Sequence, residues 1–309
     1  MCSSLRINNH LFGRNMDLDY ELKQEIIITP RNYKIKLKKE PCINTHNAII
    51  GIGMIINNFP LYYDAINEYG LGFCALNFPL NCKYYSCISK SINIAPFELG
   101  TYLLANYKSI KEIKKIIHNI NICNVHFSSN IHNTPLHFML SDLTQSLVIE
   151  PTKEGIKVYD NPFDILTNNP PFPYHIHNLL NYINLSNEDI KNNLNLSFDF
   201  IPYSYGMGAI GLPGDFSSSS RFIRGYFVKN FIDLNEDYIL QAFKCFDSIS
   251  MLKGCVKTQS GYEYTIYTSL YDLKKIIIYY KTYFNPIIKS IDIHNYDLSS
   301  SKLIKETIK

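Results

Sequence analysis

The run Met1-Cys2-Ser3-Ser4, at the start of the chain, is the most informative stretch for the chemistry of this protein. Loss of one residue would make Cys2 the amino terminus. An N-terminal cysteine combines a nucleophile and a base in one residue, because a free α-amine with a pKa of about 7.7 to 8.0 can accept the thiol proton. The placement therefore predicts a self-activating amidase that needs no catalytic histidine.

The composition favours one large domain over residues 1–309. The chain is 46% hydrophobic, enough for a substantial core, and its net charge is only +3 with scattered lysines, so a nucleic-acid partner is not expected. The longest apolar stretch, 48–56, is about half the roughly 18 residues of a membrane-spanning helix, so membrane insertion is not expected either. The first fifteen residues lack an apolar signal region, which predicts a cytoplasmic location.

The eight cysteines are expected to be reduced thiols, because no secretory signal accompanies them. Cys82 and Cys87 have the spacing C-x4-C, but no second pair completes a tetrahedral zinc site. We therefore expect neither a metal nor an organic cofactor.

The N-terminal half is rich in short runs that favour β-strands, at 25–29, 33–37, 48–56 and 72–76. Turn and breaker residues separate these runs: Pro30, Asn57-Asn58, Pro60 and Gly70. Such spacing is typical of antiparallel sheets with tight connections. Further strands are predicted at 136–141, 146–150, 155–159 and 164–167, with a C-terminal hairpin of 262–271 and 276–284.

Helices are predicted between these groups of strands. One begins near Pro96 and runs toward Tyr107, and the next begins with the capping box Ser109-Ile110-Lys111-Glu112. Three more are predicted at 173–183, 218–231 and 236–249. This order predicts an α+β fold in which helical layers pack on antiparallel sheets.

Other candidate motifs are better explained as structural. Residues 206–211 match G-x-G-x-x-G, but Leu212-Pro213-Gly214-Asp215 continues a loop where a dinucleotide site needs a helix. The serines at 217–220 lack a G-x-S-x-G elbow and are typical of a helix cap. The pairs His132/His137 and His175/His177 have no metal-ligand spacing and are interpreted as core or surface histidines.

Charged residues follow Cys2 at short range. Asp17 and Asp19 occupy alternate positions of a predicted strand, just after Arg14. Near a terminal cysteine, a carboxylate can hold the amine and a guanidinium favours the thiolate. Elsewhere, an Arg14–Asp17 salt bridge would be an ordinary surface feature.

Several motifs together resemble the choloylglycine hydrolases, a family of bile salt hydrolases and penicillin V acylases. They occur in order along nearly the whole chain: Cys2, 12–17, 29–33, 67–72, 76–79, 166–170, 211–215 with 220–222, 263–265 and 279–283. The resemblance implies a four-layer αββα sandwich of two antiparallel sheets between helical layers, the N-terminal-nucleophile hydrolase fold. It also implies that Met1 is removed and that the protein forms a homotetramer. Residues 185–205 are the segment expected to serve assembly.

The resemblance assigns roles to six residues. Cys2 would be the nucleophile, with Arg14 and Asp17 flanking its thiol and amine. The backbone amide of Asn77 and the side-chain amide of Asn168 would form an oxyanion hole, and Arg221 would complete the polar site. Without the resemblance, Asn168 is equally typical of a turn before proline, Asn77 of a strand end and Arg221 of a solvated helix.

The substrate is less closely defined. The asparagine at position 77 resembles the residue that bile salt hydrolases have at this position, whereas penicillin V acylases often have tyrosine there. Candidates for the wall of an apolar pocket, chosen by nearness in sequence to the motifs, are Met16, Leu18, Phe59, Ile131 and Phe138. A penicillin V acylase, another N-acyl amidase and a non-catalytic binding protein remain alternatives.

The segment between Cys2 and Arg14 is several residues shorter than is typical of the family. A tight turn at Asn8-Asn9 would preserve the strands, whereas a shift of register would move the site side chains to the wrong face.

Overall fold

Two antiparallel sheets lie face to face in the computed structural model, which describes residues 1–190, 192, 197 and 202–308. Within those residues, the first sheet, sheet A, has seven strands. Six follow one another in the spatial order β12 (Ile165–Leu166), β1 (Cys2–Ile7), β2 (Leu11–Leu18), β14 (Tyr262–Asp272), β15 (Ile277–Thr282) and β16 (Lys289–Asp292). The seventh, β13 (Val256–Lys257), pairs with β14 outside this order. Cys2 therefore lies at the start of an interior strand.

The second sheet, sheet B, has eight strands across the described ranges. Their spatial order is β11 (Gly155–Asp160), β10 (Ser146–Thr152), β9 (Leu136–Ser141), β6 (Gly72–Asn77), β5 (Phe59–Asn67), β4 (Ile49–Ile56), β3 (Glu25–Thr29) and β17 (Ile304–Thr307). A small parallel pair, β7 (Ile92–Ile94) and β8 (Ile120–Ile122), lies apart from both sheets.

Helices cover the outer faces of the two sheets. Their bounds are α1 (Leu99–Asn106), α2 (Ile110–Ile116), α3 (Phe172–Leu179), α4 (Ser218–Phe231) and α5 (Tyr238–Asp247). Helix α1 packs on β5 and β6, whereas α4 and α5 pack on sheet A. The predicted αββα sandwich is confirmed.

The interior of sheet B is apolar on both faces, as the consecutive isoleucines of β3 illustrate. Ile26 and Ile28 belong to the core between the sheets, and Ile27 belongs to the core under α1 and α2. Because successive side chains of a strand point to opposite faces, such a run indicates a strand buried on both sides.

The predicted caps of two helices are present. Ser109 accepts a hydrogen bond from the backbone N–H of Glu112, whose carboxylate accepts from the N–H of Lys108 and not from Ser109 itself. Ser217 caps α4 in the same way, through the N–H of Ser220. The glycine motif at 206–211 forms a loop with positive φ at Gly206 and Gly211, as expected of glycines that turn the backbone.

Two local predictions were wrong. Residues 33–37 form no strand, since Ile35 makes only an isolated bridge to Ile43. Their alternation reflects packing on the core without a neighbouring strand. Pro60 does not break the chain but lies inside β5, opposite Ile55 of β4, at a point where β6 does not pair with β5. A proline needs no ladder donor where its strand is locally an edge.

The shortened N-terminal segment forms a regular hairpin. Asn8 and Asn9 both have positive φ at its tip, and the register runs without a bulge from Ile7–Leu11 to Cys2–Met16. The hairpin therefore keeps the side chains of β1 and β2 in the register that the site needs. Of the segment expected to serve assembly, residues 191, 193–196 and 198–201 lie outside the described residues.

Candidate active site

Cys2 lines a cavity of about 430 Å³ between the sheets. Its side chain is 3% exposed, and its Sγ donates to Met16 Sδ across the hairpin at 3.9 Å. The backbone N–H of Cys2 donates to Asn168 Oδ1 at 2.8 Å, and its carbonyl accepts from Arg221 Nη1 at 2.8 Å. The residue is therefore fixed on both sides of its Cα atom.

Arg14 and Asp17 lie on opposite faces of β2, because they are three residues apart on a strand. Arg14 is on the face of the thiol, where its guanidinium donates to the carbonyls of Tyr63 and Ala75 and lies 4.0 Å from the Asp64 carboxylate. The structure gives no Arg14–Asp17 salt bridge. Each of the two has a partner on a different element.

Asp17 faces α4 and lies beneath the N-terminal segment. Its Oδ1 accepts from Thr265 Oγ1 at 2.6 Å, and its Oδ2 is buried without a hydrogen-bond partner, 3.8 Å from Arg221 Nη1. The backbone of Asp17 pairs with Met1 in both directions, and the Met1 amine also contacts the Glu263 carboxylate. Burial lowers the pKa of that amine, although Cys2 and Asp17 oppose the effect.

The side-chain amide of Asn168 connects the remaining predicted residues. Its Oδ1 accepts from Cys2 N and from Arg221 Nη2 at 2.9 Å, while its Nδ2 donates to the carbonyl of Asn77 at 2.7 Å. Asn77 ends β6 on the wall of the cavity. Cys2, Asn77, Asn168 and Arg221 thus form one connected group.

Two buried histidines hold the backbone of residues 167–170, which we call the Asn168 loop. His137 Nε2 bonds to the carbonyl of Thr167 at 2.8 Å, and its Nδ1 lies 3.1 Å from Glu150 Oε1. His175 Nε2 bonds to the carbonyl of Asn168 at 2.9 Å, so in both rings Nε2 is the donor. Burial lowers the pKa of His175 to about 4.

The wall of the cavity is mainly apolar. Met16, Leu18 and Ile131 line it, together with side chains that sequence reasoning did not select: Leu22, Leu61, Phe73, Phe97 and Phe127. Phe59 and Phe138 do not line it, because Phe59 packs on the far side of Phe97 and Phe127, and Phe138 stacks behind Phe73 in the core. Asp19, Thr258 and Glu263 make one end polar.

Comparison with known proteins agrees with this geometry. A sequence model of the linear amide C–N hydrolases, choloylglycine hydrolase family, matches residues 2–306. The chain belongs to the choloylglycine hydrolase family. It is therefore a hydrolase of linear amide C–N bonds.

Relatives and solved structures of this family cover nearly the whole chain. A bile salt hydrolase/transferase of Lactiplantibacillus plantarum is 41% identical over 98% of this chain and 96% of its own length. A crystal structure of the C2A mutant of a conjugated bile acid hydrolase from Clostridium perfringens superposes with a TM-score of 0.92 at 34% identity, covering 100% of this chain and 97% of that one. A penicillin V acylase from Agrobacterium tumefaciens shares the fold, with a TM-score of 0.79 at 19% identity over 99% and 91% of the two chains.

Sequence reasoning missed several residues around this choloylglycine hydrolase site. Ser218 accepts from the Asn168 N–H at 2.8 Å, Thr265 bonds Asp17, and Asp64 lies beside Arg14. Asp64 could have been identified from the sequence, because it is the one carboxylate in an otherwise mainly apolar run. Ser218 and the two histidines carried no such signal, since a helix-cap serine and a core histidine have the same appearance in a sequence.

No group of His, Cys, Asp and Glu suited to a metal ion occurs in the described part of this family member. The same ranges contain no helix that is long and apolar enough to cross a bilayer.

Proposed function

We propose that this protein is an N-terminal cysteine amidase that releases glycine or taurine from conjugated bile salts after loss of Met1. The observation that carries the proposal is the contact of the Cys2 backbone nitrogen with Asn168 Oδ1, in a residue that lines a mainly apolar cavity. Loss of Met1 would turn that nitrogen into a free amine in a position already defined by neighbouring groups.

The amine would act as the base of the reaction. It would take the thiol proton, and burial of the kind that lowers the pKa of the Met1 amine would favour its neutral form. Asp17 Oδ2 has no hydrogen-bond partner and lies beneath the N-terminal segment. It would hold the protonated amine when it forms. Arg14, on the thiol face, would stabilise the thiolate.

Attack of the thiolate on the substrate carbonyl moves negative charge onto the carbonyl oxygen. The Asn168 side-chain amide and the Asn77 backbone amide would donate to that oxygen. The Cys2 amine would then protonate the leaving nitrogen, which breaks the C–N bond and leaves a thioester. Water, deprotonated by the same amine, would cleave the thioester and restore the thiol.

The apolar lining of the cavity suits the steroid body of a conjugated bile salt. Leu18, Leu61, Phe73 and Phe97 offer an apolar wall to a steroid, and Cys2, where an amide would be cleaved, lines the same cavity. The similarity to the bile salt hydrolase/transferase of Lactiplantibacillus and the conjugated bile acid hydrolase of Clostridium also favours this class. Penicillin V remains the second candidate, because Ile131 and the aromatic wall suit an aryl acyl group equally well.

Intact mass and turnover test the proposal together. The mature protein should lack the mass of one methionine and release glycine or taurine from glycocholate or taurocholate, and Cys2→Ala should abolish release. Cys74→Ala, a matched change at a buried thiol off the cavity, should leave turnover within a few-fold. Retention of Met1 with no turnover would favour a non-catalytic binding protein, and a higher kcat/KM for penicillin V would favour the acylase.

Assembly, location and domain organisation belong to the same proposal. We infer a homo-oligomer, with a tetramer favoured, because Leu180, Ile183, Tyr203 and Tyr205 are exposed around the segment expected to serve assembly. Light scattering on the purified protein measures this directly. A single domain over 1–309 and a cytoplasmic location stay predictions, tested by one cooperative unfolding transition and by cell fractionation.

A further inference from the structure

A second cavity lies next to the catalytic one. Its volume is about 820 Å³, and residues of the loop 32–38, the turn 57–59 and the segment 301–303 line it. Phe97 and Phe127 line both cavities, with ring centroids 5.0 Å apart, so a wall of two aromatic rings separates them.

The walls and the rim of this second cavity differ in chemistry. The walls are apolar, formed by Tyr33, Leu37 and Phe59 beside the two shared rings. The rim carries four exposed lysines: Lys34, Lys36, Lys38 and Lys302. Among the residues described, none of these lysines has an ion pair, although Lys38 Nζ lies 5.4 Å from the centre of the Phe127 ring.

The rim concentrates positive charge. Four lysines and one glutamate, Glu98, line the cavity, a balance of +3 that equals the net charge of the whole chain. Glu98 forms no ion pair with the four rim lysines, and its two carboxylate oxygens accept from the backbone N–H groups of Lys38 and Ala95. Burial also raises the pKa of Glu98, which favours its uncharged form.

We propose that this cavity is a second binding site, for a small anionic amphiphile. The apolar body of such a ligand would lie on the rings of Phe97 and Phe127, and its carboxylate or sulfonate would lie among the lysines. The volume is within the range of about 300 to 1,000 Å³ typical of small-molecule pockets. The proposal rests on this lining alone and does not require the proposed hydrolysis.

Calorimetric titration of deoxycholate into the Cys2→Ala protein, below the micelle concentration, tests the site. Deoxycholate has no amide bond, so a failure of the proposed hydrolysis leaves this experiment readable. We expect a binding event at this cavity, in addition to any event at the catalytic cavity. Lys36→Glu with Lys38→Glu should weaken this event at least tenfold and leave any other, and 0.5 M NaCl should weaken the same event.

The control makes the same change of charge elsewhere. Lys111→Glu with Lys115→Glu, on exposed positions of α2, should keep every event. A milder pair, Lys36→Gln with Lys38→Gln, guards against loss of folding, which thermal melting checks in every variant. No binding event in the parent protein, or events that are all unchanged after charge reversal at the rim, overturns the proposal.

Two further probes identify the chemistry that the site recognises. An uncharged alkyl maltoside should not occupy it, because the lysines then gain no partner. Sodium sulfate at equal ionic strength to sodium chloride should weaken deoxycholate binding no more than the chloride does. Equal binding of the maltoside would reduce the site to an apolar groove, and specific displacement by sulfate would reduce it to a simple anion site. Either result contradicts the proposal.

Discussion

Asn168 is the residue on which the site converges, because its two amide atoms have different tasks. Oδ1 accepts from Cys2 N and Arg221, whereas Nδ2 donates to Asn77 O. In the proposed mechanism, the developing oxyanion would lie within reach of that donor. The residue would then both position the nucleophile and stabilise the charge that the nucleophile creates.

Asn168→Asp should separate these two tasks. The aspartate keeps an oxygen for Cys2 N and Arg221 but loses the N–H donor, so we expect kcat to fall about 10²- to 10³-fold with a smaller change in KM. Steady-state kinetics on a bile salt measure both constants. Asn169→Ala, at the half-buried neighbour whose side chain bonds Pro79 O, should stay within a few-fold of wild type. Equal losses in the two variants would contradict the assignment.

His175 should make the free energy of unfolding depend on pH. Its pKa is about 4 in the folded protein because burial opposes the charged ring, against 6.5 as the ordinary value, so the unfolded state binds more protons between these values. Stability should rise with pH across this window and be lost as pH falls from 6.5 to 4, by about 3 kcal/mol.

Urea unfolding of the wild type and of His175→Gln at pH 7.5 and 4.5 measures this effect. The glutamine keeps an N–H donor for the Asn168 carbonyl but does not titrate, so its loss of stability on acidification should be smaller by roughly 2 to 3 kcal/mol. The same pH dependence in both proteins would show that the ring contributes nothing to it.

At the level of elements, the hairpin turns set the register that the site needs. Asn57 and Asn58 join β4 to β5 in a two-residue loop with φ of 50° and 62°, which matches a type I′ turn. The sequence indicated this turn correctly, since asparagine tolerates positive φ.

Asn58→Gly should leave stability unchanged or raise it slightly, whereas Asn58→Val should cost about 1 to 2 kcal/mol, because a β-branched side chain is strained at positive φ. Chemical unfolding measures the difference. Asn130→Val, at an exposed position without positive φ, is the control and should be nearly neutral. Indifference of position 58 to valine would contradict the turn assignment.

Helices and strands were predictable where residues within the segment determine its structure. They were less predictable where an adjacent strand determines it. The bounds of α4 and β9 follow the sequence closely, since a serine cap and a short, mainly apolar run between Pro135 and Asp142 are local signals. Residues 33–37 alternate like a strand but pack on the core without pairing, and Pro60 is accommodated because β6 does not reach it. Neither outcome is encoded within the segment itself.

Over the whole molecule, the two sheets are joined by a buried polar cluster. Asp64 of β5 accepts from the hydroxyls of Tyr267, Ser269 and Tyr271 of β14, and it lies 4.0 Å from Arg14. Burial raises the pKa of Asp64, while Arg14 and the three hydroxyls oppose that effect. The cluster thus holds together the sheet that carries Cys2 and the sheet that carries Asn77.

Asp64→Asn should lower the free energy of unfolding by about 3 to 5 kcal/mol, because it leaves the Arg14 charge buried without its counter-ion. Tyr271→Phe removes one hydroxyl from the same cluster and should cost only about 1 to 2 kcal/mol. Urea unfolding ranks the two variants. An Asp64→Asn protein as stable as Tyr271→Phe would mean that the cluster stabilises through its hydroxyls alone.

The site as a whole was predictable only through resemblance to a family. Cys2 and Arg221 are 219 residues apart, and Asn77 and Asn168 are 91 apart, yet each pair is joined by one hydrogen bond. Periodicity and propensity act over short segments and do not bring such residues together. Motif order along the chain carried that information, and it left out Asp64, His137 and His175.

The thin partition formed by Phe97 and Phe127 has a practical consequence for protein engineering. Substitution of either phenylalanine by alanine would connect the two cavities, which are now separate. The connection would lengthen the space available to an acyl chain. Substrates too bulky for the native enzyme would then gain room without any change to the atoms that perform the cleavage.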